Sequence, residues 1–192
     1  MSPHWNFEHI GNAFYLVDNI KIEKVILNCG EVNDLENDLI KILAKNQIKY
    51  YTCIKELNIN DNKLFFLQTG KYDNENDNSN VIYTELNGYK FMFMGDASKS
   101  KEEDIIKKYK LAKIDFLKVG HHGSKTSSSK EFISKIDPKY SIINVGRKNR
   151  YGHPNKETLE VLKDSNVYRT DTLGTIEVKI NKIEVTFTNY SP

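Results

Sequence analysis

The sequence predicts an α/β protein whose sheets are covered by helices. Three observations lead there. Short apolar strand candidates alternate with helical stretches, strictly so after Asp96. A strong two-residue hairpin signal, Asn87-Gly88, sits inside "NVIYTELNGYKFMFMG". The chain closes on two alternating strands, "GTIEVKINKIEVTFTNY", around Asn181-Lys182.

The elements follow in order. "KVILNC" (24–29) reads as a strand. Val32, Leu35, Leu39, Ile42 and Leu43 then fall on one stripe at 3.6 residues per turn, the mark of an amphipathic helix. "IKYYTC" and "KLFFLQ" read as strands, and "KYDNENDNSN" (71–80) is a polar run whose asparagines and aspartates favour turns. Beyond Asp96, helices at about 101–109, 128–136 and 156–162 alternate with the strands "IDFLKVG" and "YSIINVG".

The bulk composition sets limits. With 192 residues, 39% hydrophobic and 28% charged, the chain reads as one domain, 1–192, able to bury a core. Its longest apolar runs fall well short of the roughly 20 residues that span a bilayer, so the chain by itself reads as soluble. No basic-then-apolar signal segment opens it. Cys29 and Cys53 have neither redox nor zinc-motif spacing and read as buried thiols rather than a disulfide. Residues 99–169 hold 17 Lys/Arg against nine Asp/Glu, while the remainder is net acidic. That asymmetry suits a polyanionic partner.

The five histidines are placed selectively. His4 and His9 stand in "SPHWNFEHIGNAFYLV", ahead of an apolar helical stretch. His121 and His122 follow the strand "DFLKVG", and His153 lies past "YSIINVG", as Asp96 lies past "FMFMG". In α/β folds, reactive groups gather just beyond strand ends. One such histidine is ordinarily structural; five, with none elsewhere, point to a shared site. Imidazoles with carboxylates suit zinc, manganese or iron, the oxygen share tilting toward manganese. Two such ions about 3.5–4 Å apart can clamp both oxygens of a phosphodiester displacement.

"HWNFEHIGN" resembles the H-x-H-x-D-H signature of the metallo-β-lactamase superfamily. "GDAS", "LKVGHHGSKTSSS", "NVGRKNRYGHP" and "YRTDTLG", in that order and preceded by "NDNSNVIY", resemble more closely the hydrolase-like domain of the ComEC DNA-internalisation proteins. The resemblance implies an αββα sandwich with mixed sheets, a divalent-metal hydrolase with one or two ions (Mn or Zn), and DNA as substrate. It implies metal ligation by His4, Asn6, Glu8, His9, Asp96, His121 and His153. Glu8, His122 and His153 take catalytic roles, Glu8 positioning or deprotonating the attacking water. Of His121 and His122, one completes an ion's coordination and the other holds phosphate or orients a ligand.

Ser124, Lys125 and Thr126, with the backbone amides around them, are expected to hold phosphate, and Arg150 and Tyr151 to contact the same strand. Ser127 or Ser128 is expected to cap the next helix, and Arg169 and Asp171 stand open between a supporting pair with each other and a catalytic role.

The pattern departs from the family at Asn6, a neutral amide, and at Glu8, one methylene longer than the usual aspartate. The signature also falls at the very start of the chain, so the family's first strands and its membrane-spanning part are expected to be missing. An incomplete sheet leaves an edge open to self-association. The resemblance further implies a membrane-embedded parent or partner, with this domain outside the membrane. Two other readings stay open: a DNA-binding module of the same fold without a competent metal pair, and a metallo-hydrolase of small molecules.

Overall fold

The structure is a computed structural model that describes residues 11–191. The chain forms two compact units, Met1–Ile54 and Lys55–Pro192.

In the first unit, α1 (Ala13–Asn19) precedes β1 (Lys24–Leu27), α2 (Asp34–Lys45) and β2 (Lys49–Thr52). Most of the predicted stripe lies on α2, where Leu39 and Leu43 pack with Val17 and Leu27, but Val32 precedes the helix and is exposed. Asn33 and Glu36 close a reciprocal capping box, which explains why the helix starts at Asp34. β1 and β2 pair in parallel, Leu27 opposite Thr52.

That register overturns the expectation for the cysteines. Cys29 and Cys53 leave the same end of two adjacent strands, with Cα atoms 4.6 Å apart, and are joined as a disulfide. Cys29 is half-buried and Cys53 exposed, so neither is a core thiol.

The second unit is built on a seven-stranded mixed sheet of order β3-β4-β5-β6-β7-β8-β9. β3 (Glu56–Ile59), β4 (Asn62–Phe66), β5 (Ile82–Leu86) and β6 (Tyr89–Phe93) form an antiparallel meander. β7 (Phe116–Lys118), β8 (Tyr140–Ile143) and β9 (Asn166–Arg169) continue from β6 in parallel. The connections are α3 (Lys99–Lys108), α4 (Lys130–Ile136) and α5 (Lys156–Val161). A four-residue α6 (Thr170–Leu173) leads to the hairpin of β10 (Thr175–Ile180) and β11 (Val185–Tyr190). The Asn87-Gly88 turn is where the sequence places it, both residues at positive φ.

Strand alternation divides the sheet's two faces. Met92, Met94, Leu117 and Val119 meet Ile105, Phe132, Ile136 and Leu162 in the main core. The other face is aromatic. Phe91, Phe116 and Tyr140 are register partners, with ring centroids 4.6 and 5.0 Å apart. Phe187 of β11 stacks on Tyr168 at 4.1 Å, laying the hairpin over this face. The expected α/β class with mixed sheets is what the chain adopts.

Two strands, β3 and β9, are not apparent in the sequence: "ELNI" and "NVYR" are short and half polar. The cap of α4 is also corrected. Ser129 accepts from the Phe132 amide, while the Ser127 hydroxyl bonds to the Gly120 and Ser124 carbonyls and the Ser128 amide to Glu102.

With 24 residues of sequence between its ends, the disulfide is expected to stabilise the first unit by about 3 kcal/mol, lost on reduction and measurable by urea unfolding with and without dithiothreitol. Thiol titration of the unreduced, urea-unfolded chain should find no free cysteine; two free thiols would refute the bond.

Candidate functional site

Because β6, β7 and β8 run parallel and in register, the loops leaving their C-terminal ends meet. These loops carry Asp96, the His121-His122 pair and His153.

The first loop is held from behind by the polar run that the sequence marks only as turns. It contains a one-turn helix, Glu75–Asn78, with Asp77 and Asn78 buried. The Asp96 amide donates to Ser79 Oγ at 3.0 Å, and the Ser98 amide to Asp77 Oδ1 at 2.8 Å. Gly95 has φ +58°, and a Cβ there would stand 2.9 Å from the Ser79 side chain, so glycine is required.

The second loop is tied to the first: the His121 amide donates to the Gly95 carbonyl at 3.0 Å, and the Lys99 amide to the Thr126 carbonyl at 2.9 Å. His121 and His122 both occupy the left-handed region, φ +46° and +53°. Such residues cost on the order of 1–3 kcal/mol each and concentrate at functional sites. Glu102, buried on α3, holds the far end of the loop by accepting the Ser128 and Ser129 amides at 2.6 and 2.7 Å.

The third loop packs on the second. The Asn155 amide donates to the Gly123 carbonyl, and Asn155 Oδ1 accepts the Lys125 amide. A Cβ on Gly123 would stand 2.6 Å from Pro154, so this close approach of the two loops requires glycine there. Asn149 clips the turn by accepting the His153 amide and donating to the His153 carbonyl.

The imidazoles are oriented differently. His122 Nδ1 lies 2.7 Å from the Asn144 carbonyl; it must donate there, which puts the ring's lone pair on Nε2. His121 Nδ1 has a longer contact, 3.3 Å, to Thr126 Oγ1. The His153 ring stands edge-on to His121 at 6.0 Å and stacks on Tyr151 at 5.8 Å. His153 Nδ1 is buried without a hydrogen-bond partner. Burial pushes the His153 pKa down, with His121 and His122 adding to it and the Asn155 side chain and Asp96 opposing. This ring is therefore neutral at pH 7, with a lone pair for an electrophile rather than a charge for an anion.

A metal ion asks for converging N and O donors. Asp96 and the unspent His153 Nδ1 have the right chemistry for part of such a set. Among the described residues no three His, Cys, Asp or Glu side chains converge as a metal site. His4, Asn6, Glu8 and His9, the other expected ligands, lie outside the described residues.

The profile of the Metallo-beta-lactamase superfamily matches residues 4–147. The chain belongs to that superfamily. The match runs from His4 through Asp96 and the paired histidines but stops short of His153, whose place beside them is read from the structure. Among curated relatives, ComE operon protein 3 of Bacillus subtilis is 32% identical over 98% of this chain and 25% of its own length. Recombination protein 2 of Haemophilus influenzae is 34% identical over 62% of this chain and 16% of its own. Competence protein ComA of Neisseria gonorrhoeae is 30% identical over 61% and 18%. The chain thus spans a quarter or less of these relatives, and the ComEC likeness read from the motifs stands. A solved structure from Thermotoga maritima, assigned to the zinc-dependent hydrolases of the superfamily, aligns over 76% of this chain at 18% identity. Its TM-score of 0.39 is too loose to say anything of the site.

Within this superfamily member, the expected phosphate loop is changed in one respect. Its backbone amides are already spent: Ser124 donates to the His121 carbonyl, Lys125 to Asn155, Thr126 to Ser124 Oγ and Ser127 to the Ser124 carbonyl. Only side chains remain for a phosphate, with Lys125 and Thr126 exposed and Ser124 buried. The Arg150 guanidinium lies over the Tyr151 ring at 4.8 Å and donates to its hydroxyl, while Tyr151 keeps 56% of its surface exposed. Arg169 and Asp171 form a two-pronged pair, at 3.0 and 2.6 Å.

Several supporting residues escape sequence reasoning: Asp77, Ser79, Glu102, Asn149, Asn155 and Lys118. Lys118 is a largely buried cation whose Nζ donates to the Val119 carbonyl; burial lowers its pKa and Asp96 opposes the shift. A polar residue at a strand end is the only signal the sequence offers for it.

Lys101 makes the neighbouring support testable. It is fully buried on α3, its Nζ 5.1 Å from the Tyr72 ring and without a hydrogen-bond partner. Burial lowers its pKa to about 8, with Asp77 and Asp104 opposing and Lys108 reinforcing. The unfolded lysine still holds its proton between about 8 and 10.5, whereas the folded one does not, so the cost of burial fades as pH rises through that window. Lys101→Met is expected to raise the unfolding free energy at pH 7 by about 1–3 kcal/mol, and by less at pH 10. Urea unfolding at the two pH values checks both the sign and the trend.

Proposed function

We propose that the chain is a metal-dependent hydrolase module of a ComEC-type protein, cleaving DNA phosphodiester bonds during DNA uptake. The observation that carries this reading is the half-buried His153, its Nδ1 enclosed and unspent, its ring 6.0 Å from His121 where the loops bearing Asp96, His121 and His122 lie against its own. Asp96, His121 and His153, together with the signature residues His4, Asn6, Glu8 and His9, are the proposed ligands of one or two Mn or Zn ions. An ion so held supplies Lewis-acid activation of water and of a phosphoryl oxygen.

The protein's own groups do the rest. Lys125 and Thr126 bind a phosphate through their side chains, and Arg150 with Tyr151 holds the neighbouring nucleotide. Glu8 accepts the proton of the attacking water. His122, anchored through Nδ1 on the Asn144 carbonyl, stabilises the charged transition state when Nε2 also carries a proton and donates it in a hydrogen bond. The basic 99–169 segment gathers the polyanion.

The disulfide favours an oxidising compartment, in keeping with a domain held outside the membrane by a membrane-embedded parent or partner. Among the described residues no helix is long and apolar enough to cross a membrane itself. Self-association through edge strand β3 belongs to the same proposal. Asn6 and Glu8 favour one alternative, a DNA-binding module of the same fold that lacks turnover.

The deciding experiment pairs elemental analysis of the purified chain with a DNA-cleavage assay in Mn or Zn, for the parent, Asp96→Asn and His153→Ala. Stoichiometric metal in the parent, lost in both variants with a fall in cleavage on the order of 10²-fold or more, is the expected result. Salt-sensitive DNA binding without cleavage under any divalent ion would favour the binding module, and hydrolysis of small esters but not DNA would move the substrate elsewhere.

A further inference from the structure

The core face of the sheet continues past the helices that cover it. The register Phe65↔Tyr83↔Met92 puts Phe65 and Tyr83 on the same face as buried Met92. α3 ends at Lys108, however, and the chain turns back through 109–115 before reaching these two rings. What remains is a half-open cleft of about 600 Å³. Its walls are Phe65, Leu67, Tyr83, Leu111 and Ile114, and Phe65 keeps 38% of its surface exposed. The volume lies within the roughly 300–1,000 Å³ of ligand sites, and the lining is mainly apolar, as in such sites.

The rim is cationic. Lys55, Lys108 and Lys110 border the cleft. Lys108 is turned inward, its Nζ on the Gln68 carbonyl at 2.7 Å. Lys55 and Lys110 are exposed and make no ion pair among the described residues. The one carboxylate on the rim, Glu56, is already neutralised by Lys63 at 3.1 Å. A neutral apolar ligand leaves these lysines without purpose, and a purely ionic one leaves the aromatic walls uncovered. Together they suit a molecule with an anionic head and an apolar body.

We infer that the 55–192 unit carries a second binding site, the Phe65–Tyr83–Leu111 cleft, for a small anionic amphiphile whose body lies on the exposed sheet face and whose carboxylate or phosphate meets Lys55 and Lys110. The site does not depend on the hydrolase reading, because it uses none of the proposed metal, catalytic or phosphate-contacting side chains; Lys108 and Lys110 share only the basic 99–169 segment. It does adjoin their support: Gln68, in its wall, donates to Asn80, the residue after Ser79 that holds the Asp96 amide.

The test is titration of the full chain with 8-anilino-1-naphthalenesulfonate, followed by displacement with oleate below its micelle concentration. Saturable one-site binding, displaced by oleate and unchanged by a metal chelator, is expected. Lys55→Glu with Lys110→Glu, both at exposed positions, should weaken binding about tenfold, and less at high salt. Ala112→Trp, which fills the cleft, should abolish it in a chain whose circular dichroism and melting temperature match the parent; if that variant misfolds, the charge variant decides alone. Co-sedimentation with phosphatidylglycerol vesicles, compared with free oleate, distinguishes a bilayer source of the ligand from a soluble one. Dye emission indifferent to the variants, or displacement by oligothymidylate but not by oleate, would overturn the proposal.

Discussion

The carboxylate of Glu102 is the group on which the rest of the site depends. It is buried on α3, six residues beyond Asp96, and it accepts two backbone amides from the segment that follows the paired histidines. Burial alone raises its pKa; the Ser129 and Ser128 amides and Lys99 act in the other direction. One charge thereby joins the element behind Asp96 to the loop that presents His121 and His122. Its loss leaves two buried donors unsatisfied, a cost of roughly 1–3 kcal/mol each. Asp77 does the same work one layer away, fixing the Ser98 amide from a run of asparagines.

These anchors explain how the loop sustains two consecutive left-handed histidines. A strained backbone persists only where its surroundings over-determine it. Here the first histidine's amide is tied to Gly95 and its carbonyl to Ser124, the second's ring to Asn144, and the loop's end to Glu102. Those bonds consume the amides that a phosphate-binding loop ordinarily keeps open. The segment fixes where the imidazoles stand, and in the proposed function recognition of an anion falls to side chains around it.

Much of this was legible in the sequence, for definable reasons. Strand-helix alternation survives as periodicity, and Asn87-Gly88 encodes a turn in two residues, so both appear in the fold as expected. His121, His122 and His153 stand near one another because β7 and β8 run parallel and in register, while His4 and His9 lie outside the described residues. The disulfide was hidden because it depends on β1 and β2 being neighbours across 24 residues of sequence, which no local pattern states. Asp77 and Glu102 were hidden for a related reason. Their partners are backbone amides 21 and 26 residues away, and a buried carboxylate looks in sequence like any exposed one. The ends of helices shifted by one or two residues where Ser127, Ser128 and Ser129 compete for the same cap.

The electrostatics of the site follow one logic. Burial lowers the pKa of Lys118 and of Lys101, and the pKa of His153 is lowered first by burial and then by His121 and His122. Each added positive charge makes the protonated imidazole costlier and the neutral, lone-pair form cheaper. A cluster that merely attracted DNA would do better with its imidazoles charged and exposed. Setting His153, half-buried, beside His121 and His122, with Asp96 as the counterweight, instead favours the unprotonated ring, whose lone pair can serve an electrophile. The exposed cations Lys125 and Arg150 stand apart from that cluster's hydrogen bonds, so in the proposed function attraction of a polyanion and metal coordination fall to different residues of the same three loops.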